Sequence, residues 1–226
     1  MSLPLPHTDE KMALCSWSGG KDSCFALMLA IENGLSLSCL LNVTNEFGDR
    51  SRSHGLKPEL LTAQAKMLGV PISFISSSWA DYESNFIQSL TKLKSEKNIT
   101  EAIYGDIDIE SHRVWEKKVS AAAGLQAHLP LWQQDRKELV VQMVDSGINA
   151  MIVSCNDTLG YPYLGRMIDK DIINEFEAKG VDPCGENGEY HTVVLDCPLF
   201  THQIDVQIGD KQNVNGYNFL ELNLKL

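Results

Sequence analysis

This sequence has no long hydrophobic run, no closely spaced pair of cysteines and no stretch rich in basic residues. Its longest uninterrupted apolar segment, residues 24–31, is far shorter than the roughly 20 residues that a membrane-spanning helix needs. Residues 1–11 hold no apolar core of the kind found in secretory signal peptides. We therefore expect a cytoplasmic protein with no membrane partner.

The cysteines form no recognisable pattern. No two of them stand as C-x-x-C, and a chain of 226 residues buries enough surface to fold without covalent cross-links. We expect reduced and mostly buried thiols, which fits a cytoplasmic protein. The six residues are Cys15, Cys24, Cys39, Cys155, Cys184 and Cys197.

The charge balance is acidic, with 19 basic and 30 acidic residues and a formal net charge of -11 at pH 7. Proteins that bind nucleic acids gain affinity from Lys and Arg side chains and usually present a basic face. The sequence therefore predicts no nucleic-acid partner. Its 43% hydrophobic and 22% charged residues are typical of a globular protein, and its length fits one large domain or two small ones.

The first half of the chain alternates apolar, strand-like runs with segments of helical spacing. Four such repeats with short turns predict an α/β fold, a doubly wound and mostly parallel sheet with helices on both faces. Ligands bind beyond the carboxyl ends of the strands in such sheets. The predicted strands are 12–17, 35–43, 71–75 and 102–104, and the predicted helices are 22–33, 58–68, 81–94 and 110–123.

The second half has consecutive strand-like runs, which predict a smaller α+β domain rather than more doubly wound sheet. We place a boundary at residue 130, which divides the chain into an N-terminal domain of residues 1–130 and a C-terminal domain of residues 131–226. The predicted helices are 137–146 and 170–179, and the predicted strands are 150–154, 190–195, 203–208 and 217–224.

The strongest motif is the hexapeptide Ser-Gly-Gly-Lys-Asp-Ser, which follows the first predicted strand and opens the first predicted helix. Its glycines let backbone N–H groups turn toward one point, and the helix N-terminus adds partial positive charge. Two hydroxyls and one ammonium group complete a cradle for a phosphate or pyrophosphate. The residues are Ser18, Gly19, Gly20, Lys21, Asp22 and Ser23.

This hexapeptide is not a Walker A loop, because Asp22 follows the lysine where that loop has Ser or Thr, and Cys15 stands at its first glycine position. A carboxylate beside a phosphate-binding lysine suits a site that also holds Mg²⁺, since hard cations prefer oxygen ligands. The alternative interpretation is an ordinary glycine-rich turn between a strand and a helix.

The hexapeptide resembles the pyrophosphate loop of the N-type ATP pyrophosphatases, which have a HUP-like α/β domain. Those enzymes cleave ATP between the α and β phosphates, adenylate a carboxylate or carbonyl oxygen, and let a nitrogen or sulfur nucleophile displace AMP. The resemblance implies that Gly19, Gly20, Lys21 and Ser23 hold the pyrophosphate and that Asp22 lies near Mg²⁺.

A second motif, Gly-Glu-Asn-Gly-Glu-Tyr-His-Thr at residues 185–192, resembles the Gly-Glu-Gly-Gly-Glu-Tyr-Glu-Thr signature of the diphthine–ammonia ligase family. Segments 105–107, 130–132 and 164–166 resemble family segments in the same order, so the resemblance extends from about residue 12 to residue 200. It implies an ATP-binding half, a smaller C-terminal half that selects the acceptor, and an active site in the cleft between them.

Two positions depart from that signature, with Asn187 in place of Gly and His191 in place of Glu. Both fall in the segment that the resemblance assigns to the acceptor. A Glu-to-His change removes a permanent negative charge near pH 7, whereas diphthine carries a trimethylammonium cation. The chain is thus similar to a divergent branch of the family, for which another small acceptor, for example in cobalamin salvage, is an alternative to diphthine.

The resemblance also suggests roles for single residues. Glu186 and Glu189 are candidates for a base or an orienting group toward ammonia, and a solvated acidic loop is the alternative. Gly105 and Asp106 follow a predicted strand and are expected contacts to ATP or Mg²⁺, and a helix cap or turn is the alternative for Asp106. His54 is a candidate phosphate contact, and a solvated loop histidine is the alternative.

Two arginines, Arg113 and Arg166, are candidate clamps for a phosphate or the acceptor carboxylate, and surface ion pairs are the alternative. Asn187 and His191 complete the expected acceptor site.

The leading hypothesis is a ligase that adenylates a carboxylate with ATP and then forms an amide with ammonia. A tRNA-modifying ligase with the same loop is disfavoured by the acidic charge. An ATP-binding protein without turnover is the third hypothesis. The expected cofactors are ATP and Mg²⁺. The expected partners are the acceptor, ammonia and, as one option, a second copy of the chain in a homodimer.

Overall fold

A computed structural model of the chain describes residues 11–52 and 54–225. Its first sheet has five parallel strands in the order β3-β2-β1-β4-β5, which confirms the predicted α/β fold. The first ten residues, on which the signal-peptide argument depends, lie outside the described residues. The strands are β1 (Lys11–Ser16), β2 (Leu35–Thr44), β3 (Ile72–Ser76), β4 (Glu101–Ile103) and β5 (Gln126–His128).

Four helices connect these strands and cover both faces of the sheet. Side chains of a strand alternate between faces, so Ala13 and Cys15 belong to one core and Leu14 to the other. The first core takes in the buried faces of α1 and α2, and the second takes in those of α3 and α4. The sheet is therefore doubly wound. The helices are α1 (Lys21–Glu32), α2 (Pro58–Met67), α3 (Tyr82–Lys97) and α4 (Glu110–Ala122).

The strand order reverses between β1 and β4, and this switch point positions the ligand crevice. The connection after β1 leads into α1, and the connection after β4 leads into α4. The two connections leave the sheet in opposite directions because their helices lie on opposite faces. Residues 18–23 and 105–108 thus end up at one edge of the sheet.

The C-terminal half forms a second, antiparallel sheet in the order β7-β6-β9-β8, which confirms the predicted α+β unit. Asp135 begins the first helix of this half, where its side chain accepts a hydrogen bond from Glu138 N–H at 3.0 Å. The elements are α5 (Arg136–Asp145), β6 (Asn149–Asn156), a short 3-10 turn (Tyr161–Tyr163), α6 (Lys170–Ala178), β7 (Tyr190–Asp196), β8 (Val206–Val214) and β9 (Tyr217–Leu224).

One hydrophobic core runs from the first sheet into the second. Ala13 and Leu27 belong to the same buried cluster as Val193 and Leu220. The division at residue 130 falls between β5 and α5 and stays a prediction, because the cluster continues across it.

The structure corrects the sequence-based elements in two places. β5 was not predicted, because its sequence Gln-Ala-His contains no apolar run. The strand predicted at 203–208 begins at Val206 and continues to Val214. The full length of β8 was not predicted because most of its residues are polar. They are polar because β8 is an edge strand and most of its side chains face solvent.

The six cysteines are free and buried, as expected. Among the described residues, no helix is both long and apolar enough to cross a membrane.

Candidate active site

A cavity of about 310 Å³ opens at the switch point of the first sheet. One wall is the loop after β1, with Ser18 and Ser23. A second wall is the end of β4, where Gly105 and Asp106 lie. The C-terminal half closes the cavity with six residues of the segment 184–191: Cys184, Gly185, Glu186, Gly188, Tyr190 and His191. The two sequence motifs, far apart in the chain, therefore line one cavity.

The hexapeptide adopts the conformation that its glycines permit. Gly19 has a φ of +86°, and a side chain there would run into Leu61, so only glycine fits. The hydroxyls of Ser18 and Ser23 lie 3.1 Å apart. The backbone then enters α1, whose first N–H groups have no intrahelical acceptor.

Lys21 is the link between the two halves of the chain. Its side chain is only 3% exposed, and its Nζ donates to Asp22 Oδ1 at 2.8 Å and to the Cys184 carbonyl at 2.6 Å. Its backbone N–H donates to Thr192 Oγ1 at 3.0 Å. Burial alone would lower the pKa of Lys21, but the Asp22 carboxylate more than offsets this and raises it, so the ammonium stays charged.

Gln64 on α2 stabilises the loop through three hydrogen bonds and was not among the predicted site residues. Its amide donates to the Gly19 carbonyl at 2.9 Å and to the Val194 carbonyl at 2.7 Å, and its oxygen accepts from Trp17 Nε1 at 2.8 Å. Val194 N–H also donates to the Gly19 carbonyl, at 2.9 Å. The signal was available: Gln64 is a polar residue on the stripe of α2 that is otherwise apolar and buried.

His54 and His191 form a neutral pair in the cavity wall. Their ring centroids lie 4.7 Å apart, and His54 Nδ1 donates to the Thr192 carbonyl at 2.7 Å. This bond leaves His54 Nε2 as an acceptor. Burial and the neighbouring His54 lower the pKa of His191 to about 3, and burial also lowers the pKa of His54. Position 191 therefore presents an uncharged ring to the cavity at neutral pH.

Glu186 is the carboxyl of the second motif that lines the cavity. Burial and the carboxylates of Asp22 and Asp106 raise its pKa to about 7. A group with such a pKa exchanges protons readily at neutral pH, as a general base must.

Asp106 lines the opposite wall, and His112, also at the cavity, contacts its Oδ1 through Nδ1 at 2.6 Å. Gly105 before it lets β4 approach α1, because a side chain at this position would lie 2.8 Å from Ser23 N. The close approach brings Asp106 to the mouth of the crevice.

Six of the expected site residues do not line the cavity, and two of them, Gly19 and Gly20, lie in the turn before α1. Arg113 pairs with Glu110, and Arg166 pairs with Glu175 at 2.8 Å, so both form the surface ion pairs that were the alternative for them. Glu189 Oε2 accepts from the N–H of Asn187 at 3.1 Å, outside the cavity. The roles suggested for these six residues stay predictions.

An ionic bridge joins two loops that carry cavity residues and was not foreseen. Arg136 at the start of α5 pairs with Asp108 at 2.7 Å and with Asp182 at 2.5 Å. Asp182 also accepts from the N–H groups of Cys184 and Glu186, both at 3.0 Å. Arg136 therefore ties the loop after β4 to the loop that carries the second motif.

The donors of this cavity fit a nucleotide polyphosphate. The volume falls within the range of ligand pockets, and a helix N-terminus, two serine hydroxyls and Lys21 converge on it. The described residues contain no group of three or more His, Cys, Asp or Glu side chains arranged around a metal. One carboxylate such as Asp22 still fits Mg²⁺, because Mg²⁺ is usually held by one or two carboxylates together with substrate phosphates.

Comparison with known proteins agrees with this geometry. The family model of the diphthamide synthase N-terminal domain matches residues 11–127, and that of the diphthamide synthase C-terminal domain matches residues 135–225. One solved structure, described as a "predicted subunit of tRNA methyltransferase" from Methanocaldococcus jannaschii, covers 83% of this chain and 98% of its own at 16% identity. Its TM-score of 0.43 is too low to carry an argument.

Two of three curated relatives are similar to this chain over most of their length. The diphthine–ammonia ligase of Danio rerio is 29% identical over 217 residues, which cover 83% of each chain. That of Homo sapiens is 30% identical over 219 residues, 85% of this chain and 82% of its own. That of Schizosaccharomyces pombe is longer, and a match at 31% identity covers 34% of it. By the two domain matches and these identities, the chain belongs to the diphthamide synthase family.

Proposed function

We propose that this protein is an ATP-dependent ligase that converts a carboxylate into an amide with ammonia and releases AMP and pyrophosphate. The observation that carries the proposal is the pair of contacts from Lys21 to Cys184 and Thr192. Through them the phosphate-binding loop and the second motif become two walls of one cavity. A reaction that joins a nucleotide to a second substrate needs both sites side by side.

The loop residues would bind the β and γ phosphates through Ser18, Ser23 and the N–H groups of α1 that follow Lys21, whose own N–H is bonded to Thr192. Lys21 would neutralise the charge that develops on the leaving pyrophosphate. For this its ammonium must turn from Asp22 toward the phosphate. Asp22 would then hold Mg²⁺, which supplies further neutralisation of phosphate charge when it is bound.

ATP supplies the carboxylate with AMP as a good leaving group. A free carboxylate would otherwise have to expel oxide. Glu186 is proposed to accept a proton from ammonium, which leaves ammonia as the nucleophile that displaces AMP, since its pKa of about 7 suits a base at neutral pH. The buried ring of His191 is proposed to contact the acceptor. The walls of the cavity would limit access of water to the activated carboxylate.

The relatives are named for diphthine and ammonia, and we propose the same substrates for this chain. The free buried thiols of the described residues fit a reducing compartment, so we propose that the reaction takes place in the cytoplasm. Neither a role in cobalamin salvage nor ATP binding without turnover is favoured by any observation. The homodimer likewise stays a prediction.

The test is an assay of nucleotide products with a protein that bears diphthine, ammonium chloride, ATP and Mg²⁺. We expect AMP and pyrophosphate in equal amounts, each dependent on the acceptor, and one amide formed per AMP. A parallel screen of small carboxylates would find another acceptor if diphthine is inert. Formation of ADP instead of AMP would reject the whole class of mechanism.

A further inference from the structure

Arg52 is a cation of the cavity wall that has no place in the reaction as described so far. It follows the bridge between Thr44 and Ser51, and its backbone N–H donates to the Val43 carbonyl at 3.1 Å. These contacts anchor Arg52 beyond the carboxyl end of β2, where ligands bind in sheets of this kind. Arg52 was not among the predicted site residues.

The charge of Arg52 has no carboxylate partner. None of the ion pairs within residues 11–52 and 54–225 includes it. Lys21 also lines the cavity, but its ammonium is bonded to the Asp22 carboxylate at 2.8 Å. An anionic ligand in the cavity therefore meets in Arg52 a cation that need not first give up a carboxylate.

Two neighbouring groups hold the guanidinium of Arg52 in place. Its central carbon lies 4.2 Å from the centre of the Trp79 ring and 5.9 Å from that of the Tyr82 ring. Its Nη2 donates to the Ser77 carbonyl. Stacking uses the flat face of a guanidinium, whereas its N–H donors lie in the plane of the group. The stack on Trp79 thus leaves donors at the edge of the guanidinium for a ligand.

One of these donors is unsatisfied. The Nε of Arg52 is buried and has no hydrogen-bond partner among the described residues. A buried donor without an acceptor destabilises a protein. An oxyanion beside the guanidinium would supply the missing acceptor, because the parallel N–H groups of arginine match two oxygens of one carboxylate or phosphate.

We propose that Arg52 is the anion-binding arginine of this cavity and that its guanidinium, held against Trp79, binds an oxyanion of a substrate through its in-plane N–H groups. The oxyanion is a phosphate of the nucleotide or the carboxylate of the acceptor, which share this chemistry. The identity of these two substrates rests on the proposed function. Trp79 is a positioning residue, because it contacts Arg52 and does not line the cavity.

Two substitutions of Arg52 test the site. Arg52→Gln removes the charge, and Arg52→Lys keeps the charge without the planar group. Arg50→Gln is the matched control, because Arg50 lies in the same loop, pairs with Glu221 at 2.8 Å and does not line the cavity. Calorimetry would measure the Kd of two ligands, an ATP analogue with a methylene group between the α and β phosphates and a protein that bears diphthine. Thermal unfolding checks that each variant folds.

We expect Arg52→Gln to weaken the binding of at least one of the two ligands by about 10- to 100-fold, as for a lost hydrogen bond to a charged group. Weaker binding of the analogue identifies a nucleotide phosphate as the oxyanion, and weaker binding of the diphthine-bearing protein identifies the acceptor carboxylate. Arg52→Lys should recover only part of the loss, and Arg50→Gln should stay within about twofold of the parent protein.

The proposal is wrong if Arg52→Gln binds both ligands as tightly as the parent protein, or if Arg50→Gln loses as much affinity as Arg52→Gln. Should Arg52→Gln not fold, weaker binding by Arg52→Lys decides the same question.

The role of Trp79 is tested with the ligand that Arg52 is found to bind. Trp79→Leu removes the ring and should weaken binding by about two- to fivefold, the effect of an exposed cation–π contact, while Trp79→Phe keeps a ring and should lose less. Unchanged affinity of Trp79→Leu would overturn the positioning role of Trp79.

These binding measurements need no turnover, so the two proposals can fail separately. If the parent protein binds the analogue but forms no AMP with any acceptor, the proposed function fails, and the affinities of Arg52→Gln still decide whether Arg52 binds an oxyanion. If the parent protein binds neither ligand, both proposals are wrong.

Discussion

The backbone N–H of Lys21 donates a 3.0 Å hydrogen bond to the hydroxyl of Thr192, which lies 171 residues later in the chain. Lys21 opens α1 in the first sheet and Thr192 lies on β7 in the second. A side chain of the C-terminal half thus satisfies one of the N–H groups that a helix leaves unpaired at its start. The glycine-rich loop at residues 18–23 is therefore completed by the C-terminal half, which is proposed to select the acceptor.

Replacing Thr192 tests this link. Thr192→Val removes the acceptor at nearly constant volume and should lower the free energy of unfolding by about 1 kcal/mol, as for a lost helix cap. It should also weaken ATP binding, measured by calorimetry. Thr192→Ser keeps the hydroxyl and should behave like the parent protein. Thr91→Val, at an exposed position, is the control. An equal loss of stability and ATP affinity in Thr91→Val would show that Thr192 has no special role.

Lys21→Ala should nearly abolish pyrophosphate release. If the ammonium meets charge that develops in the transition state, its loss raises the barrier by about 2–4 kcal/mol. The measurement is the rate of acceptor-dependent pyrophosphate formation, with circular dichroism as a check on folding. Lys117→Ala, an exposed lysine of α4, serves as the control. Activity of Lys21→Ala within twofold of the parent protein would refute the assignment.

Glu186 should give the reaction a pH dependence. As a base it works only when ionised, so the rate of amide formation should rise as the pH increases through about 7. Glu186→Gln should form amide more slowly, and its rate should not show this rise through pH 7. Because ammonium also loses its proton as the pH rises, both proteins are compared at the same total ammonium concentration. Parallel profiles for the two proteins would show that another group is the base.

His191 should influence the choice of acceptor. His191→Glu combined with Asn187→Gly restores the family signature and should shift preference toward a cationic acceptor by about tenfold, equal to about 1.4 kcal/mol. ATP affinity should not change. Since Asn187 lies outside the cavity, Asn187→Gly alone should have little effect and is the control. A loss of ATP affinity in the double variant would place His191 in the nucleotide site instead.

The turn before α1 could be predicted because its two glycines and the polar residues after them are a local signal. Gly19 has a positive φ, and the helix begins at Lys21. Phosphate binding by this loop stays a prediction. The strand–helix alternation likewise predicted the parallel sheet, since burial of regular elements imposes a period on the sequence. β5 escaped prediction because its three residues carry no such period.

The supports of the site could not be predicted, because they join residues that are distant in the chain. Gln64 meets Val194 across 130 positions, and Arg136 meets Asp182 across 46. Arg113 and Arg166 were reasonable candidates by residue type. In the structure Arg113 pairs with Glu110 and Arg166 pairs with Glu175, away from the cavity. Residue type alone does not tell a clamp from an ion pair.

The sequence by itself determined the α/β class, the glycine-rich turn before α1 and the family, because each depends on local patterns. Only the tertiary structure decided which carboxyls face the cavity and in which charge state. Glu186 lines the cavity and Glu189 does not, although they are three residues apart, and burial with the nearby carboxylates raises the pKa of Glu186 to about 7. The reason is physical: the pKa of a carboxyl depends on its burial and on the charges around it, and packing of distant segments sets both.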